Sequence, residues 1–146
     1  MSAAVRAVRW LWGEITAPPH IKGVMALAYV IATLTGLATL TNPPQSIAGE
    51  VGPVLAAVWA WSFIAGGVLG LATVFTPWWW AERTALIFAG TGVAVYAFVV
   101  LNLHLLAPPG SSRLTQVGII GLAVCLLVLR WHLIRVYSYQ PLSRER

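Results

Sequence analysis

The chain has 146 residues, of which 59% are hydrophobic and only 9% charged, against about 25% charged residues in an ordinary soluble domain. That balance excludes intrinsic disorder, a collagen-like repeat and a soluble α/β enzyme, and it points to an integral membrane protein. The net charge of +5 sits at the ends of apolar runs rather than on one soluble face, which argues against nucleic acid as a partner and for the lipid bilayer.

In chain order, the first element predicted is a short amphipathic interfacial helix over about 3–16. Val5, Val8, Trp12 and Ile15 recur at helical spacing, while Arg6, Arg9 and Glu14 lie elsewhere on the wheel. Trp10 and Trp12 are its interface anchors, and Pro18-Pro19 ends it. The stretch is too polar and too aromatic for the apolar core of a signal peptide, so it is expected to be retained.

Four apolar runs follow, over about 23–41, 54–76, 84–107 and 116–137. Each approaches the roughly 20 residues that cross about 30 Å of hydrocarbon. Loop chemistry separates them: Asn42-Pro43-Pro44-Gln45 with Gly52-Pro53, then Thr76-Pro77, then Pro108-Pro109-Gly110-Ser111-Ser112. A basic tail occupies 138–146. The fold class predicted is all-α integral membrane, a single domain forming a four-transmembrane-helix bundle.

Orientation follows from lysine and arginine counts near the helix ends. With four spans, one side holds Arg6, Arg9, Lys22, Arg83, Arg130, Arg135, Arg144 and Arg146, and the other only Arg113. Both termini are therefore expected in the cytoplasm. Trp78, Trp79, Trp80 and Trp131 then mark the cytoplasmic interface together with Arg130 and Arg135, because an indole is apolar apart from one N–H that wants a wet partner.

Small residues recur at helical spacing. Ala28, Ala32 and Gly36 form one row, Gly66 and Gly70 a second, Gly90 and Ala94 a third, and Gly118 with Gly121 a fourth. Such rows let backbones approach closely. They are read as helix-packing positions inside the bundle, and some are open to contacts between protomers.

Arg130 is the most informative polar residue. It lies about 21 Å along the fourth run by helix rise, inside the boundary of the hydrocarbon. One reading is a snorkelling arginine that pairs with Glu82, for which Arg130→Lys is nearly silent. The other is a pore-lining or partner-binding charge. Asn102 and His104 read as packing or interface residues of the third run. His20, His104 and His132 match no metal-ligand spacing, and the single Cys125 permits no intramolecular disulfide. No catalytic set, cofactor motif or small-molecule site is apparent, and the runs lack the mid-depth ionisable residues that mark coupled transporters.

Ala17-Pro18-Pro19-His20-Ile21-Lys22 before the first run, Asn42-Pro43-Pro44 after it and Arg130-Trp131-His132-Leu133-Ile134-Arg135 near the end resemble small four-span membrane proteins of actinobacterial phages. The resemblance covers most of the chain. Proteins of this type are placed with holins, which pierce the host membrane so that endolysin escapes. It implies a holin-like homo-oligomer that permeabilises the cytoplasmic membrane during host lysis, and it carries no catalytic residues. Some holins have a second start methionine a few residues in; here the next is Met25, inside the first run. The alternative is a non-enzymatic structural or interaction protein, serving superinfection exclusion or membrane anchoring, with a small transporter behind both.

Reporter fusions at Arg146 and within 43–52 are expected to report cytoplasm and exterior respectively. A cytoplasmic signal from the first loop overturns the orientation and the tryptophan assignment with it.

Overall fold

The computed structural model describes residues 19–42, 45–76, 78–106 and 113–137. The amphipathic segment at 3–16, with Trp10 and Trp12, and the basic tail at 138–146 lie outside the described residues. Four helices make up the described chain: α1 (Pro19–Thr41), α2 (Gln45–Thr73), α3 (Trp79–Leu105) and α4 (Leu114–Tyr137).

All four are long and apolar enough to cross a membrane, over His20–Thr41, Gly52–Thr73, Trp79–Leu105 and Leu114–Arg135. Their outward surface confirms the setting. Leu27, Ile31 and Leu34 on α1, Ile87 and Phe98 on α3 and Leu122 and Leu129 on α4 are all exposed. A contiguous apolar belt of this kind is foreign to soluble monomers. The protein is an all-α, four-helix integral membrane bundle.

Local chemistry explains the helix boundaries. Within α2 the backbone breaks at Gly52, at φ 78° and ψ 159°. That left-handed region suits glycine, and Pro53 next to it has no N–H to continue the ladder. The membrane-crossing part of α2 therefore starts at the break. Its far end closes with the Val74 N–H bonded to the Gly70 carbonyl and the Thr76 N–H to that of Thr73. α3 begins at Trp79, before the apolar run itself, because the Ala81 and Glu82 N–H groups both find the Trp78 carbonyl and Glu82 suits the positive end of a helix.

The packing is uneven. α2 lies between α1 and α3 and makes close, extended contacts with both, α4 leans more sparsely on α3, and α1 and α4 do not pack along their length. Accordingly 39% of each central span is buried inside the bundle, against 22% for α1 and 17% for α4.

Glycines set the close seams. A Cβ on Gly36 would stand 2.6 Å from the Ala60 carbonyl oxygen, and one on Gly66 would stand 2.6 Å from the Ala89 nitrogen. Gly67 and Gly70 instead face α1, where added atoms would collide with Thr33 and with the Tyr29 ring. The Gly66/Gly70 pair thus serves two seams, Gly66 facing α3 and Gly70 facing α1. Gly67 belongs to no row of small residues read from the sequence, yet α1 packs directly on it. Ala28 and Ala32 are half-buried, and Ala94 is exposed. Around Gly90, Gly118 and Gly121 there is open space.

Gly36→Leu or Gly66→Leu is expected to lower bundle stability by about 1–3 kcal/mol, the usual penalty for overpacking a filled site. Gly118→Leu is expected to leave the single chain unchanged. Unfolding in detergent micelles followed by circular dichroism checks both.

Candidate functional site

α1 and α3 run in one direction and α4 in the other, so the starts of the first two meet the finish of the third at one end of the bundle. Lys22 and Glu82 each stand on the first turn of their helix, and Arg130 lies two turns before the end of α4. The topology brings these three charges together. All are buried: Lys22 and Glu82 are 1% exposed and Arg130 2%.

Glu82 is the hub. Arg130 grips it through two parallel bonds, Nε donating to Oε1 and Nη2 to Oε2, each at 2.8 Å. Nη2 also lies 2.7 Å from Oε1. The Tyr29 hydroxyl donates to Oε1 as well, at 3.3 Å. One carboxylate thereby ties α1, α3 and α4 together. Side-on, two-bond geometry is available to a guanidinium and not to an ammonium.

Lys22 completes the cluster. It lies within electrostatic reach of both Arg130 and Glu82, and its Nζ sits over the Trp79 ring, 5.9 Å from the centroid. Met25, Tyr29, Val74, Ala85, Leu86 and Ile134 enclose the group in an apolar shell. The Tyr29 ring occupies the notch left by Gly70, so that glycine indirectly positions the hydroxyl on Glu82.

Outside this buried layer lies an exposed collar. Trp78, Trp80 and Trp131 are exposed, Arg135 is exposed beside them, and the Arg83 guanidinium lies over the Trp131 ring at 6.0 Å. Arg130, grouped by sequence with these anchors, is instead turned inward onto Glu82. Trp79 is half-buried under Lys22.

Several hydroxyls of the spans bond within their own helix, whereas the Trp59 Nε1 and the His104 Nδ1 are buried with no hydrogen-bond partner among the described residues. The hydroxyls of Thr33, Thr39, Ser62, Thr73 and Thr91 each donate to a carbonyl one turn back on their own helix. The Asn102 amide does the same toward Phe98. These hydrogen bonds do not join helices. Among the described residues, no three of His, Cys, Asp and Glu gather into a metal-binding group.

The Arg130–Glu82 partnership was one of two readings open in the sequence. Tyr29 and Lys22 were missed as members. The available signal was a tyrosine inside an otherwise apolar span, whose hydroxyl must find a partner when buried. Arginine and tyrosine both engage the Glu82 carboxylate, which fastens three helices together.

No protein-family model, curated protein or solved structure matches this chain.

Arg130→Met is expected to destabilise the bundle by about 3–5 kcal/mol, because it strands a buried carboxylate. Arg130→Lys keeps the charge but loses a charge-assisted bond, a loss of roughly 1.5–3 kcal/mol. The double variant Glu82→Leu/Arg130→Met is expected to recover only part of the stability, since the carboxylate is no longer stranded but buried Lys22 loses its anion. A double-mutant cycle by thermal unfolding in micelles reads the coupling, and a silent Arg130→Lys overturns the two-bond assignment.

Proposed function

We propose that this chain is a holin-like membrane protein that accumulates in the cytoplasmic membrane, self-associates there and permeabilises it during phage lysis. The observation that carries the reading is the division of the small residues. Gly36, Gly66, Gly67 and Gly70 are consumed by seams within the chain, whereas Gly118 and Gly121 are exposed with nothing within 4 Å. They lie on α4, the helix that buries least of itself. Cys125 is exposed one further turn along, two turns from Gly118 and so on the same face. A small-residue face that a bundle leaves open suits close contact with another membrane helix.

Two further features support the reading. Mid-depth hydroxyls bonded to their own helices favour a lesion built between copies over a selective path through one. The placement of Lys22, Arg83, Arg130 and Arg135 at one end, with Arg113 at the other, supports cytoplasmic termini. The function is non-enzymatic and requires no cofactor in this reading.

Expression of the chain alone in a bacterium is expected to collapse the membrane potential after a delay, read by a potential-sensitive dye with expression matched by blot. Oxidative cross-linking through the native Cys125 is expected to trap dimers before the collapse. Gly118→Leu or Gly121→Leu is expected to weaken the cross-link and shift the delay without affecting insertion. If well-inserted wild-type protein leaves the potential intact for hours, permeabilisation is discarded and the structural or interaction role takes its place.

A further inference from the structure

At the charged end of the bundle two buried cations, Lys22 and Arg130, face one buried carboxylate, Glu82. Only one of the two bonds to it. Arg130 holds both carboxylate oxygens, at 2.8 Å each, and the Tyr29 hydroxyl takes a further site on Oε1. Lys22 stands aside. Its Nζ lies over the Trp79 ring, 5.9 Å from the centroid, while the ion pair at Glu82 is made by Arg130. Taking an ammonium out of water is costly, and a ring face repays less of that cost than a carboxylate does. The chain nevertheless keeps a buried ammonium here that the ion pair does not use.

The helices divide these charges unequally. α1 brings Lys22 and α3 brings Glu82, so the closely packed layer of α1, α2 and α3 holds, at this end and among the described residues, one buried cation and one buried carboxylate. α4 brings the surplus cation, and α4 is the helix that buries least of itself, 17% of its span. α1 and α4 do not pack along their length, and a groove lies between them. Glu82 on α3 is thus the group that both cations share. The geometry lets Lys22 change partners. Trp79 and Glu82 are three residues apart on α3, hence on one face and about 4.5 Å apart along the axis by helix rise. A flexible four-carbon lysine stem covers that step by changing rotamers, with no shift of the backbone.

We propose that Lys22 is the reserve partner of Glu82. When α4 moves off and withdraws Arg130, the ammonium leaves the Trp79 ring and takes the carboxylate, so the layer of α1, α2 and α3 stays balanced without α4. The bundle then has two arrangements of its charges. In the closed one Arg130 fastens α4 to Glu82; in the open one Lys22 holds Glu82 and α4 is free to tilt away. The exchange is unequal, because a point-charge ammonium cannot reproduce the two parallel bonds of a guanidinium. The closed arrangement is therefore the resting one, and losing Arg130 still lowers stability. The device belongs to the bundle itself and is independent of the permeabilising role.

Lys22 is the only lysine of the chain, so isotope-labelled lysine reports on this one side chain. Nuclear Overhauser spectra of the full chain in micelles are read for the neighbours of its ε-methylene. In the wild type, contacts to the Trp79 ring are expected, without equal contacts to the Glu82 γ-methylene. Arg130→Met withdraws the guanidinium and is expected to exchange the Trp79 contacts for Glu82 contacts. Glu82→Gln/Arg130→Met removes the charge that draws the ammonium and is expected to return it to Trp79. Unfolding equilibria give a second reading. Lys22→Met is expected to raise the unfolded-to-folded ratio about tenfold more in the Arg130→Met background than in the wild type, the least that a charge-assisted bond supplies. If Arg130→Met does not fold by circular dichroism, Arg130→Gln, which keeps a donor but no charge, takes its place. The proposal is overturned if Lys22 keeps its Trp79 contacts when Arg130 is replaced, if it touches Glu82 equally in the wild type, if it moves in the same way without the Glu82 charge, or if Lys22→Met costs the same in both backgrounds.

Discussion

A carboxylate buried in an apolar shell tolerates no vacancy among its partners, and the charged end of this bundle is arranged around that constraint. Glu82 must be surrounded by donors to stay buried. Arg130 and Tyr29 supply them from two other helices. α4 packs more sparsely than the other helices, through an apolar seam of Val117, Ile120, Ala123 and Leu127, and the ion pair adds a polar attachment near its far end. α1, by contrast, is secured mainly by glycine seams against α2, and Tyr29 adds the link to Glu82. The same interaction therefore fastens a loosely packed helix and closes the network around a tightly packed one.

That difference in attachment shapes the rest of the molecule. Where Gly36, Gly67 and Gly70 let backbones approach, the first three helices form a compact layer. Where α4 lacks such seams, it stands off from α1. The standing-off leaves a lateral groove on one side and an unoccupied small-residue face at Gly118 and Gly121 on the other. The groove and the proposed self-association face both follow from the sparser packing of this one helix.

Much of the architecture was legible in the sequence because the hydrocarbon imposes a length. Four apolar runs bounded by proline-rich loops define four helices, and the structure shows them. The start of α3 was less legible: its first turn contains Glu82 and Arg83, which break the apolar run, although helix hydrogen bonding continues through them. The candidate site was legible only in part. The pairing of Arg130 with Glu82 was readable from two opposite charges at matching depth. The side-on geometry was not, because it depends on the rotation of α3 and α4 about their own axes. The same limit applies to the glycines. Spacing identifies residues that share a stripe, but Gly66 and Gly70 sit on a helix flanked on both sides, and only the packing assigns each to a neighbour. Tyr29 and Gly67 escaped notice for a related reason, since each acquires its role from a contact across a seam.

The separation of Glu82 from Arg130 along the chain, 48 residues, has a consequence for biosynthesis. At about 5–20 residues per second, Glu82 leaves the ribosome a few seconds before the arginine that will neutralise it. During that interval α3 enters the bilayer with a lone carboxylate. Its place on the first turn of the helix makes the wait tolerable, because a group so near the aqueous boundary can remain hydrated until α4 arrives. The same carboxylate in the middle of α3 would have had to be protonated or delayed at the translocation machinery. The position of the ion pair near one end of the bundle is thus suited to the order in which the helices are made.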